Sequence, residues 1–183
     1  MTKQNAKTRT VKRLVFGLLV LLWMAVIFVF STRTAPESSA VSGRFTGWLS
    51  RLFFPEWYLP ENAADLSNHL MKLEYLVRKS AHFAEFLVLG GFLSLFLNEI
   101  DLKPVLRLLT GIAAGVLYAC SDEFHQSFVA GRAMQGFDLV IDTGGVIFGV
   151  LLISGISAMC MLRRLERNSG ECSGKETETV QDG

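Results

Sequence analysis

Three short stretches hold the residues whose types and spacing suit chemistry: Lys79-Ser-Ala-His82-Phe-Ala-Glu85, Asp122-Glu123-Phe-His125-Gln126, and Arg132 followed by Asp138 and Asp142. Histidine titrates near neutral pH, so His82 or His125 is a candidate general base, with an acid such as Glu123 or Asp142 to orient it. Those four are the catalytic candidates. The H-x-x-E at 82 and 85 and the E-x-H at 123 and 125 supply zinc-type ligands, but neither spacing is a specific signature, so no metal and no cofactor is assigned. No nucleophile elbow, P-loop or dinucleotide fingerprint is present. Five acids (Glu85, Asp122, Glu123, Asp138, Asp142) stand against three bases (Arg78, Lys79, Arg132), a balance unlike that of a phosphate trap. Three readings stay open. The group is a polar pocket for a head group or glycan, a catalytic site, or an ion-pair network that only fixes helix register. The binding set is Lys79, His82, Glu85, Asp122, Glu123, His125, Gln126, Arg132, Asp138 and Asp142.

The elements that must position these residues are apolar. Of 183 residues half are hydrophobic, fourteen are Phe and only 19% are charged, too few charges to cover a soluble domain of this size. A net charge of +1 gives no basic excess for nucleic acid. The apolar residues fall into four runs, about 14–30, 80–97, 104–120 and 137–162. Each approaches the roughly 20 residues needed to cross hydrocarbon. The first is read as an uncleaved span, since no small-residue cleavage site follows it. Residues 31–40 read as a loop. Phe45, Trp48, Leu49, Leu52 and Phe53 then recur at helical spacing, the pattern of an amphipathic helix in the membrane interface. A further helix starts from Asn62 or Asp65 and runs into span two, with His69 on its surface. Cys120 and Cys160 fall in apolar runs as inert packing residues.

The expected fold is therefore all-α: an integral membrane bundle of four transmembrane helices, with an interfacial amphipathic helix between spans one and two. Residues 1–167 form one domain, and 168–183 a disordered cytoplasmic tail. Eleven Lys and Arg lie on one side of this topology against seven on the other, placing both termini in the cytoplasm of an inner membrane.

Every polar group near a span, the basic flanks apart, is then expected at the outer face. Asp138 and Asp142 share a helix face with Gly145 and Gly149, and Asp142 is about 7–8 Å deep at ~1.5 Å per residue. A carboxylate there must face the bundle and find a partner, Lys79 or Arg132 being the cations in reach. The pairs Gly111/Gly115 and Gly145/Gly149 let helices approach closely and permit a homodimer.

The blocks from Lys79 to Phe86, Ser121 to Phe128, Gly131-Arg132, and Asp138-x-x-x-Asp142-Thr143-x-Gly145-x-x-x-Gly149 together resemble the VanZ family, over about residues 15–160. The chain departs from that pattern where Ala130 precedes Gly131-Arg132 in place of a proline, and where Asp142 stands in place of an asparagine common in relatives. The resemblance implies a small cell-envelope membrane protein linked to lowered susceptibility to teicoplanin and related lipoglycopeptides. Partners implied are membrane lipids and a wall precursor or the drug itself. It implies no reaction.

Overall fold

The protein is described from a computed structural model covering residues 3–62, 64–132 and 136–181. Five helices follow in order: α1 (Lys3–Ser31), α2 (Ala35–Phe53), α3 (Leu66–Asn98), α4 (Pro104–Gln126) and α5 (Gly136–Gln181), with two short 3-10 turns, Pro55–Tyr58 and Pro60–Asn62, between α2 and α3. Among the described residues there is no strand. Four stretches are long and apolar enough to cross a membrane: Lys7–Ser31, Leu66–Asn98, Pro104–Gln126 and Gly136–Arg167.

The helix ends have local causes. Pro104 occupies the first turn of α4, where its missing N–H costs nothing. Asp65 takes the N-cap position of α3, which then runs unbroken for 33 residues with no Pro in it. α4 continues six residues beyond Cys120, so Asp122 to Gln126 are helical. α2 starts at Ala35, within the segment expected as a loop. There the Glu37 carboxylate accepts both the Thr34 backbone N–H at 2.9 Å and the Thr34 hydroxyl at 2.8 Å, and Pro36 lies in the first turn. Thr-x-x-Glu is a capping-box spacing that marks a helix start. The backbone hydrogen bond from Thr34 holds the Glu37 carboxyl below the usual glutamate range. α5 extends past residue 167 to Gln181. Extending a formed helix costs far less than starting one.

α3 and α5 run side by side from the same end of the bundle and make its most extensive helix–helix contact. Glycines set how close they come. A Cβ at Gly149 would collide with the Leu87 carbonyl, one at Gly145 with that of Phe83, and one at Gly90 with that of Val146. On α4, Gly115 makes room for the Val146 side chain. The pairs Gly111/Gly115 and Gly145/Gly149 are thus packed against other helices of the same chain. Phe86, Leu89, Ala119, Val146 and Val150 fill the core between these helices, with Ile27 of α1. Two partly buried polar tips fasten α1: the Trp23 indole donates to the Glu85 carbonyl at 2.8 Å, and the Tyr118 hydroxyl to the Met24 carbonyl at 2.6 Å.

The outside is more apolar than the inside suggests. Leu14, Leu18, Leu21, Leu117 and Val140 are exposed, while Thr46, Ser50 and Asp142 are buried. Cys120 and Cys160 are also exposed, so they face outward and do not pack in the core. Such a surface needs hydrocarbon around it. α2 shows the same inversion, turning Trp48, Leu52 and Phe53 outward and burying Thr46 and Ser50, with the Ser50 hydroxyl 2.6 Å from that of Tyr58.

Polar contacts are not confined to one end, as the sequence suggested. In the other half Ser94 pairs with Ser154 at 3.1 Å and Asn98 donates to Ser157 at 3.0 Å. Small hydroxyls are easily overlooked in an apolar run, yet between close helices they find each other. At that far end Arg9 and Arg13 donate to the Glu99 carbonyl at 3.1 and 2.7 Å, satisfying backbone at the end of α3.

Candidate functional site

At the end of the bundle where α1 and α4 finish and α3 and α5 enter, the glycine seam continues as a polar ladder. Lys79 and His82 are three apart on α3; Asp138 and Asp142 are four apart on α5. Each pair therefore shares a helix face, and the parallel helices bring the faces together. Lys79 pairs with Asp138, both side chains largely buried, and its ammonium also lies 5.1 Å from the Tyr75 ring centroid. One turn deeper, His82 Nδ1 lies 3.8 Å from Asp142 Oδ1, beyond hydrogen-bond reach. Asp142 is 0% exposed, and among the described residues neither of its oxygens has a hydrogen-bond partner.

α4 supplies the opposite wall. Asp122, Glu123 and Gln126 are all buried, Glu123 to 1% exposure, and the Gln126 amide donates to Asp122 at 2.8 Å. After α4 the chain turns at Gly131, whose φ of +75° suits a residue without a Cβ. The turn, with Ala130 before Gly131, closes through Arg132 N–H to the Val129 carbonyl at 3.1 Å. The Ala35 N–H donates to the Ala130 carbonyl at 3.4 Å, tying the start of α2 to this turn. Arg132 is half-buried. Burial, with the like charge of Arg78 adding to it, lowers the pKa of its guanidinium from the usual arginine value.

The ten residues singled out from sequence do not all converge. Lys79, His82, Asp138 and Asp142 form the ladder, and Glu85, Asp122, Gln126 and Arg132 surround the space beside it. Glu123 is buried on α4. His125 stands apart, its ring 4.7 Å from that of Phe28 on α1, and it lines neither cavity described below. Of the four catalytic candidates, His82 and Asp142 face each other. His69 is stacked on Trp57, 4.7 Å between centroids, where the sequence put it on the surface.

Two cavities meet at this end. The larger, about 650 Å³, lies beneath α2; the smaller, about 360 Å³, lies over Lys79 and Asp138. Arg78, His82, Gln126 and Arg132 line both. The walls of the larger include Val41, Phe45 and Leu49 of α2 and Leu73, Leu76 and Val77 of α3, so charged groups line one part and apolar groups another. Sequence reasoning missed three contributors. Arg33 lines the larger cavity, and Ser39 and Glu74 accept from Arg78 at 2.7 and 3.0 Å. Glu74 and Arg78 are four apart on one helix, a legible signal; Ser39 needed the docking of α2 to be found.

The family model for VanZ/LLP1 matches residues 16–159, which reaches into all four apolar helices and includes every residue of the ladder. The chain belongs to the VanZ/LLP1 family. No curated protein and no solved structure matches it. Membership in VanZ/LLP1 agrees with four apolar helices in making this a multi-pass membrane protein of the cell envelope.

Proposed function

We propose that this VanZ/LLP1 member recognises an envelope amphiphile, whether a lipid, a wall precursor or a lipoglycopeptide such as teicoplanin, in the cavity beneath α2. One observation carries the reading: a space of about 650 Å³ that combines Arg78, His82 and Arg132 with an apolar wall of α2 and α3 residues. A head group and a hydrocarbon tail ask for those two surroundings side by side. The basic residues in the first part of α1 and after the apolar part of α5 support a cytoplasmic location for both termini in the inner membrane. The cavity then opens towards the outer leaflet, where wall precursors are displayed and where a lipoglycopeptide acts. The test is teicoplanin susceptibility and membrane lipid composition in cells carrying wild type, His82→Ala or Arg132→Ala at equal protein level. The reading requires both variants to behave like the deletion. Wild-type behaviour from both would end it.

A second reading, a membrane-embedded enzyme of the hydrolase or transferase kind, is favoured by His82 and Asp142. They face each other without a hydrogen bond, leaving a polar atom of a bound molecule room to join them. Lipid profiling separates the readings. A lipid species chemically altered in wild type and unaltered in His82→Ala cells supports the enzyme; the same species bound but unaltered supports recognition.

A further inference from the structure

The charge balance read from sequence spoke against an anion, and the tertiary structure changes that sum. Lys79 takes Asp138, and Gln126 takes one oxygen of Asp122. Arg33, which the sequence left in a loop, joins Arg78 and Arg132 in the lining of the larger cavity, with Glu85 and Asp122 as its acids. Among the described residues neither Arg33 nor Arg132 has a carboxylate within ion-pairing distance. Arg78 reaches Glu74 with one nitrogen, while its Nε is buried without a partner. The cavity thus holds three guanidinium groups with donors to spare. Planar guanidinium matches the geometry of phosphate oxygens, and a half-buried one gains from an anion that replaces lost water.

The rest of the cavity says what carries the anion. Phe45 and Leu76, on facing helices, line it and are also half-exposed on the outer surface of the bundle. A chain lying between them runs from the arginines along apolar side chains that are open at the surface. Free phosphate has no use for that wall.

We propose that the cavity holds a membrane lipid by its phosphate, with Arg33, Arg78 and Arg132 on the phosphate oxygens and the lipid chain between α2 and α3. The assignment rests on the recognition reading above and narrows its ligand to a lipid phosphate.

The experiment uses the full chain in phosphatidylcholine nanodiscs, with Phe45→benzoylphenylalanine as a photo-crosslinker. The probes are radiolabelled phosphatidic acid and diacylglycerol of identical chains, which differ only in the phosphate. Phosphatidic acid should be captured about tenfold or more in excess, the discrimination that one or two charge-assisted hydrogen bonds provide. Arg33→Gln and Arg132→Gln should each erase most of that excess while leaving diacylglycerol capture unchanged, and Arg132→Lys should restore part of it. An unchanged diacylglycerol signal shows that the variants are folded. Equal capture of both probes, insensitive to the arginines, overturns the phosphate and leaves recognition of an amphiphile standing. Capture of neither probe overturns both. Full competition by millimolar inorganic phosphate assigns the arginines to a free anion and overturns the lipid.

Discussion

His82 Nδ1 and Asp142 Oδ1 face each other 3.8 Å apart across the seam of α3 and α5, and among the described residues neither atom has a hydrogen bond. Isolated polar atoms this deep are costly to fold around. Asp142→Asn keeps the shape and removes the acid. It should hold or raise stability, by about 1 kcal/mol or a few degrees in Tm, while ligand recognition falls several-fold. Thermal unfolding in detergent, read beside the binding or susceptibility assay, checks the pair of signs. A loss of both stability and recognition would mean that the carboxylate is structural.

Lys79 and Asp138 form the outer rung, largely buried. Lys79→Ala leaves a carboxylate without its cation in a half-apolar setting and should destabilise by about 3 kcal/mol. The double variant with Asp138→Ala should cost less than the sum of the singles, with a coupling of about 1–3 kcal/mol. Additive losses in the cycle would show that the pair contributes nothing beyond its parts.

Gly149 lies against the Leu87 carbonyl with no room for a side chain. Gly149→Leu should push α5 off α3, at a cost of about 3 kcal/mol or more, and with it open the His82–Asp142 rung. Gly155→Leu, on the same helix with nothing nearby, is the control and should fold normally. Yields of folded protein on gel filtration distinguish them.

Trp48 is exposed on the outward face of α2, beside Leu52 and Phe53. With Trp23 and Trp57 replaced by Phe, its fluorescence should be blue-shifted and quenched by lipids brominated near the head group more than by those brominated at the chain end. An emission like that of tryptophan in water would remove α2 from the interface.

The far end carries a pH-dependent contact. The hydrogen bond and charge of Arg9 hold the Asp101 carboxyl below the ordinary aspartate value of 3.8. The folded state therefore binds fewer protons in the acid range than the unfolded one. The contribution is present above that value and is lost as pH falls below it. Because the pair is exposed, the effect should be small. Asp101→Asn should flatten the slope of stability between about pH 4 and 2.

How much of this was legible beforehand differs by residue. Pro104 and the four apolar runs marked the spans, and the three- and four-residue spacings of Asp138, Asp142, Gly145 and Gly149 placed acids and glycines on one face. The capping box Thr34-x-x-Glu37 was equally local, and reading residues 31–40 by their small polar character missed it. His125 shows where spacing stops helping. It is three residues from Asp122 on the same helix, yet it lies against Phe28 of α1 because the wheel of a helix gives directions and not neighbours.

Backbone geometry and the need to satisfy every polar group in hydrocarbon act along a single helix, so sequence alone determined that the chain is a four-span bundle with its ionisable residues gathered on particular faces. Which partner each of those residues meets depends on how deeply one helix sinks against another. That depth is decided by the absent side chains of Gly90, Gly145 and Gly149 packing on backbone far away in the chain. The pairing of Lys79 with Asp138 and the gap between His82 and Asp142 follow from that packing, and Arg33 reaches the cavity of Arg132 where Ala35 docks on the Ala130 carbonyl, which is why only the tertiary structure decided them.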